Sequence, residues 1–151
     1  MKRLLMVVVL ASITAMAQEL SRQPFTDFKV PEVDAQGNLR WLLRGEKGRL
    51  QGQNMVGLEG VTVEFYNKLN QIDMTLKTSA CVYDQAAKRA EGEERVEINA
   101  PGKYLITARG MDWAAGQNLI RLHHDGKIIL SPNSLVGDGN GAKPGVNEGA
   151  K

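Results

Sequence analysis

The pattern of apolar and polar positions that the rest of the chain repeats lies in residues 96–113, Val-Glu-Ile-Asn-Ala-Pro-Gly-Lys-Tyr-Leu-Ile-Thr-Ala-Arg-Gly-Met-Asp-Trp, which reads as strand, tight turn and strand. Pro101 and Gly102 take the two central turn positions. They suit a type II turn, because proline presets φ to about −65° and glycine accepts the positive φ that follows. In the second strand Tyr104, Ile106, Ala108 and Gly110 share one face, and Leu105, Thr107 and Arg109 the other. Apolar residues therefore occur on both sides, and the alternation is imperfect. Val61, Val63 and Phe65 alternate cleanly with Thr62, Glu64 and Tyr66, the pattern of a half-buried strand. In residues 74–83 Met74, Leu76, Ala80 and Val82 fall on one face. Shorter strands are expected over residues 39–44, 54–58, 119–123 and 127–130, the last two joined by Asp125-Gly126, a short-turn signal. Residues 45–53 read as a turn region, and residues 85–95 as a polar loop, because no apolar stripe of helical period runs through them.

Imperfect copies connect these segments. A shift of thirty residues lays Leu76, Ala80, Cys81 and Tyr83 on Ile106, Gly110, Met111 and Trp113, and a shift of sixty-four lays residues 52–56 and Leu58 on residues 116–120 and Leu122. The chain is thus a series of strand-turn-strand units, each too small to bury its apolar face alone, so stacking them makes the core. No unit carries a long amphipathic helix. The expected class is all-β, with strands gathered around a shared apolar interior that includes Trp41 and Trp113.

The ends read differently. Lys2-Arg3, an apolar run over residues 4–13 and Ala15-Met16-Ala17 have the order of a secretory signal peptide, so residues 1–17 are expected to be removed after Ala17 or, failing that, to remain as an anchor. Residues 18–38 read as an extended lead-in, residues 39–130 as the domain, and residues 131–151, rich in glycine, as a flexible tail. Without residues 1–17 the chain has 17 Lys+Arg, from 19 minus Lys2 and Arg3, against 17 Asp+Glu. Its balance is then neutral, and nucleic-acid binding, which wants a net basic domain, is not expected. Arg40, Arg44, Lys47 and Arg49, interrupted by Glu46, read as a solvated face. The lone Cys81 excludes an internal disulfide.

Reactive groups do not converge. His123 and His124 are adjacent, so on a strand they point to opposite faces and cannot ligate one metal together, and with Asp125 they are better read as strand-end and turn residues. Cys81 reads as a small apolar residue, and Met55, Met74 and Met111 as core fillers. Gly57-Leu58-Glu59-Gly60 and Gly137-Asp138-Gly139 lack the strand-to-helix context that phosphate binding needs. No catalysis, cofactor or metal is expected. Two readings of the domain remain: a groove lined by apolar residues that holds acyl chains, and a sandwich whose interior is simply full.

Asp34-x-x-Gly37-x-x-x-Trp41-x-Leu43, then Val61-Thr62-Val63-Glu64-Phe65-Tyr66, Leu76-x-x-x-Ala80-x-x-Tyr83-Asp84, Val96-x-Ile98 and Leu105-x-x-x-x-Gly110-Met111-x-Trp113 resemble the periplasmic lipopolysaccharide-export proteins of the LptC type, related to LptA and the OstA-like domain. The resemblance covers Gly37 to about Leu130, and its motifs are sheet patterns rather than reactive residues. It implies an open β-jelly roll in the periplasm, part of outer-membrane biogenesis. Such a domain binds lipopolysaccharide acyl chains inside and passes them along a bridge of jelly rolls from an inner-membrane ABC transporter toward the outer membrane. The cleavable-looking N-terminus is closer to LptA than to LptC, and the glycine-rich tail is not a family feature. Gly110 matches a position the family tends to keep as glycine.

Within that frame Leu43, Val61, Val63, Phe65, Leu76, Val96, Ile98, Ile106, Ile120 and Ile128 are expected to line the interior and contact acyl chains. An open sheet has two unpaired edges, which either pair with a partner or must be shielded. Residues 39–44 and 127–130 are expected to be the outermost strands. Lys127, Ile128, Ile129 and Leu130, with one charge and no proline, are expected to pair with another jelly roll or with a second copy of the chain.

Overall fold

The computed structural model describes residues 23–131. The signal segment, the first residues of the lead-in and all of the expected tail except Ser131 lie outside the described residues. Seven antiparallel strands follow one another in a single sheet: β1 (Phe25–Val33), β2 (Leu39–Leu50), β3 (Met55–Tyr66), β4 (Ile72–Asp84), β5 (Arg89–Ala100), β6 (Tyr104–Ala114) and β7 (Leu119–Leu130). One 3-10 turn, Ala115–Gln117, precedes β7, and there is no α-helix among the described residues. β1 and β7 are the outermost strands and do not pair with each other, so the sheet is open. The turn expected at Pro101-Gly102 is present: the Lys103 N–H donates to the Ala100 carbonyl at 3.0 Å, and Gly102 has φ of +73°.

Several expectations need correction, beginning with residues 54–58 and 61–66, expected as separate strands, which form one strand, β3, through Gly60. β2 continues to Leu50 through the expected turn region, β5 begins at Arg89 inside the expected loop, and the lead-in contains a strand, β1, so residues 39–44 are not an edge. Asp125-Gly126 is no hairpin either, since β7 runs straight through it. Asp125 does take positive φ, +55°, but at an irregularity in the strand, where the β6–β7 register shifts between Thr107 and Arg109. The same left-handed backbone serves a tight turn and a bulge, which is why the two were confused.

That irregularity belongs to a line of breaks crossing the sheet. Gly60 in β3 has φ of +62°, the β4–β5 register shifts between Thr78 and Val82, the β5–β6 register between Gly92 and Arg95, and Gly110 in β6 has φ of +77°. At this line the inward face changes parity in β2, β3, β4 and β6, whereas in β5 and β7 it keeps it, with Ala90 and Val96, and Ile120 and Ile128, on the same side. In β2 the buried positions are Trp41, Leu43 and Gly45, then Gly48; in β3 Val56 and Leu58, then Val61 and Val63; in β4 Leu76 and Thr78, then Cys81 and Tyr83; in β6 Ala108, then Met111 and Trp113. Ala80 and Val82, expected beside Leu76, are only half-buried, while Cys81 and Tyr83 are 5% and 2% exposed. The parity change also explains why strict alternation fails in these strands.

Gly110 shows why the crease needs glycine. A Cβ there would stand 2.8 Å from His123 Nδ1, in a backbone conformation that L side chains rarely adopt.

The sheet folds over along the crease. Trp41 on β2 and Trp113 on β6 lie four strands apart, about 19 Å along the sheet, yet their rings meet edge-on at 4.9 Å. Phe65 packs on Trp113 at 5.7 Å, Phe28 on Tyr83 at 6.5 Å, and Arg40 donates to the Asn118 side chain at 3.3 Å. The strand halves on either side of the crease thus form two lips. Lip A carries Trp41, Leu43, Val63, Phe65, Leu76, Ile98 and Ile106; lip B carries Leu58, Cys81, Tyr83, Met111 and Trp113. Between them lies one core, whose full-size apolar side chains each contribute about 1.5–3 kcal/mol on burial.

Candidate functional site

The sheet register assembles an apolar row across all seven strands of lip A. Val30 pairs with Leu43, Leu43 with Val63, Val63 with Leu76, Leu76 with Ile98, Ile98 with Ile106 and Ile106 with Ile128. Directly paired residues share a face, so all seven point inward. A neighbouring row pairs Trp41 with Phe65, Phe65 with Met74 and, at the far side, Tyr104 with Leu130. The copies seen in the sequence fall on equivalent inward places: Cys81 and Tyr83 of β4 correspond to Met111 and Trp113 of β6, and Val56 and Leu58 of β3 to Ile120 and Leu122 of β7. Strands of like direction, two or four apart, therefore share their sequence pattern.

Burial divides the ten residues singled out from the sequence. Leu43, Val61, Val63, Leu76, Val96 and Ile98 are between 0% and 4% exposed, packed by the opposite lip. Phe65, Ile106 and Ile120 are half-buried. Ile128 stands on the inward side opposite Ile106, yet is 63% exposed because no residue of lip B reaches it. Leu130 is 52% exposed on the same side, and Ile129, on the outward side, 49%. The apolar interior thus runs from a filled middle to a bare end at β6 and β7. Val30 and Tyr104 belong to it and were not among the sequence candidates, and Leu130, expected only as part of the partner edge, belongs to it too. Their partners in register could have revealed them, had the register been known.

A cleft of about 420 Å³ opens between the lips, floored by Phe65, Met74, Trp113 and Ile120 and rimmed by Asp34, Asn38, Arg40, Lys68 and Asn118. Trp113 is fully buried, and its Nε1 is the one buried side-chain polar atom among the described residues with no hydrogen-bond partner. A buried donor left unmatched costs about 1–3 kcal/mol. At the rim the Asp34 carboxylate accepts from the Gln36 and Asn38 N–H groups at 2.9 and 2.8 Å, and these bonds hold its pKa below the usual value.

Burial pushes the Cys81 thiol up to about 12, so it stays protonated at neutral pH. His123 packs against Gly110 with Nδ1 4.0 Å from Glu93 Oε1, while His124 pairs in register with Arg109. Asp112, nearly buried on the outward side of lip B, accepts from Arg89 at 2.8 and 2.6 Å and lies 3.6 Å from Arg121, an ion cluster that ties β5, β6 and β7 together.

An open sheet folded into two lips around an apolar interior, with one end bare, is the architecture of an open β-jelly roll. A family described as lipopolysaccharide-assembly, LptC-related, has a model that matches residues 13–130. The chain belongs to this LptC-related family. No curated protein matches it. Membership gives this LptC-related chain a role in lipopolysaccharide transport at the cell envelope. Among the described residues no helix is long and apolar enough to cross a membrane.

Proposed function

We propose that the protein holds lipopolysaccharide acyl chains between its lips in the periplasm and passes them to a neighbouring jelly roll across its β7 edge. It would act as one link in a bridge from an inner-membrane ABC transporter toward the outer membrane. The observation that carries this reading is the apolar row itself: it does not stop at the packed core but continues through Ile106 to an uncovered Ile128 beside an unpaired strand edge. An acyl chain leaving the interior along this row meets apolar surface up to the edge. A second jelly roll added to β7 by main-chain hydrogen bonds would extend both sheet and row.

In the closed form described here Phe65, Ile106, Ile120 and Ile128 are the accessible contacts, and Leu43, Val61, Val63, Leu76, Val96 and Ile98 become contacts when the lips part. Parting would also bring the unmatched Trp113 Nε1 within reach of an acyl ester carbonyl, a suitable acceptor. The alternative, a non-catalytic adaptor sandwich of the envelope, draws on the six residues whose burial is already complete.

Photocrosslinking amino acids at Ile106, Ile128 and, outward, Thr62 separate the two. Capture of lipid A at the first two and not at Thr62, with lipid A detected by mass spectrometry in the purified protein, is the expected result. Capture at Thr62 alone, or no lipid at any position, would leave the adaptor reading.

A further inference from the structure

The chain is nearly neutral overall once its N-terminal segment is set aside, yet its cations are not evenly spread. On the outward face of lip A one register row runs Lys29, Arg44, Thr62, Lys77, Glu97, Thr107, Lys127, from β1 to β7. Beside it Arg95 pairs directly with Arg109, and Arg109 with His124. All the cations in both rows are exposed. Arg44 bonds Glu64 at 3.2 Å, whereas Lys29, Lys77, Arg95, Arg109 and Lys127 make no ion pair among the described residues. Like charges placed directly opposite on neighbouring strands are unfavourable. Lys29 opposite Arg44 and Arg95 opposite Arg109 are such pairs, relieved by an anionic partner, while Lys77 stands opposite Glu97.

The shape of this belt indicates which partner. Seven strands at about 4.8 Å spacing make it about 29 Å long, and no large aromatic or aliphatic side chain interrupts its two rows. A protein partner is usually held by a packed centre with aromatic anchors and a polar rim. A charged membrane surface asks only for cations in line, free to reach headgroups. A shallow concavity of about 420 Å³ in the belt, lined by Lys77 and Arg95 with the hydroxyl residues Thr62 and Ser79, and by Glu46 and Glu97, offers donors to a phosphate.

We propose that the outward face of lip A docks on a bilayer surface rich in anionic phospholipid, which would orient the sheet with its back to the membrane. This inference does not rest on acyl-chain binding between the lips, because the belt and the apolar row lie on opposite faces.

The full chain is tested by co-sedimentation with vesicles of phosphatidylglycerol and phosphatidylcholine, compared with phosphatidylcholine alone. Each cation near such a surface strengthens binding by about fivefold. A Lys77→Ala, Arg95→Ala, Arg109→Ala variant should therefore lose on the order of 100-fold in its preference for anionic vesicles, and 0.5 M salt should abolish that preference in the parent. A control that removes three cations elsewhere, Lys47→Ala, Arg49→Ala, Lys103→Ala, should lose less than threefold. Lipid A co-purification should be equal in all three proteins. Because any apolar N-terminal segment is common to every variant, the difference between them reads the belt alone. Equal losses in belt and control variants would reduce the effect to net charge and overturn the proposal. So would an unchanged belt variant, or a belt variant that keeps vesicle binding while losing capture of an acidic soluble protein.

Discussion

The two edges of this sheet are built in opposite ways. β1 turns Phe25, Phe28 and Val30 against the core, stacks Phe28 near Tyr83, and is tied to the far side of the molecule by Glu32, which accepts from Lys88 at 2.9 Å. It also carries Pro31 and a positive-φ Asp27, both of which disfavour addition of another strand. β7 starts in the same manner, with Ile120 and Leu122 packed on the core, but ends in three apolar residues that are each about half exposed or more. A row of similar side chains thus begins under cover at Val30 and ends bare at Ile128. The difference shows that hydrophobicity along a strand does not mark a core residue; whether the opposite lip reaches it does.

The sharpest way to break this contrast is to place one charge at each end of it. Val63→Asp puts a carboxylate at a site with no exposure, and should cost at least about 3 kcal/mol in urea unfolding. Ile128→Asp, on the same row, should change stability by no more than about 0.5 kcal/mol. Similar losses at both sites would mean that the bare end is covered in solution.

The crease comes next, since it decides which residues lip B reaches. Gly110→Ala forces a Cβ against His123 at positive φ and should cost about 2 kcal/mol, with a visible change in the emission of the edge-on pair Trp41 and Trp113. A neutral outcome would show that the fold-over does not depend on this backbone conformation.

Edge chemistry is expected to affect assembly more than stability. Ile129→Pro should weaken capture of a partner jelly roll, or self-association, at least tenfold in a protein that remains folded, because it disturbs main-chain pairing at the exposed edge. Thr26→Pro on β1 should leave association unchanged. If both variants associate like the parent, the bridge is built elsewhere.

The smallest effect is expected at the tie on β1. Glu32 and Lys88 are partly exposed, so Glu32→Gln should cost only a few tenths of a kcal/mol and nothing at high salt. A cost above about 1 kcal/mol would show that the N-terminal edge is held chiefly by this bond and not by Phe25 and Phe28.

By itself the sequence determined the all-β class, the turn at Pro101-Gly102, the inward set from Leu43 to Ile128 and the spacing of like-directed strands, because period-2 alternation and turn chemistry are local properties. It left the strand ends unclear for a local reason too: glycine and positive-φ residues mark turns and bulges alike, so Gly60 and Asp125 read as breaks between strands when they are bends within them. Depth, by contrast, is set by the way the sheet folds over. Val63 and Ile128 have the same character and share a row, yet one is sealed and the other bare, because the fold at Gly60 and Gly110 carries lip B over one and not the other. Cys81 and Tyr83 lie inside for the same reason, since the inward parity changes at a crease whose place depends on register across seven strands, a non-local quantity that no stretch of sequence contains.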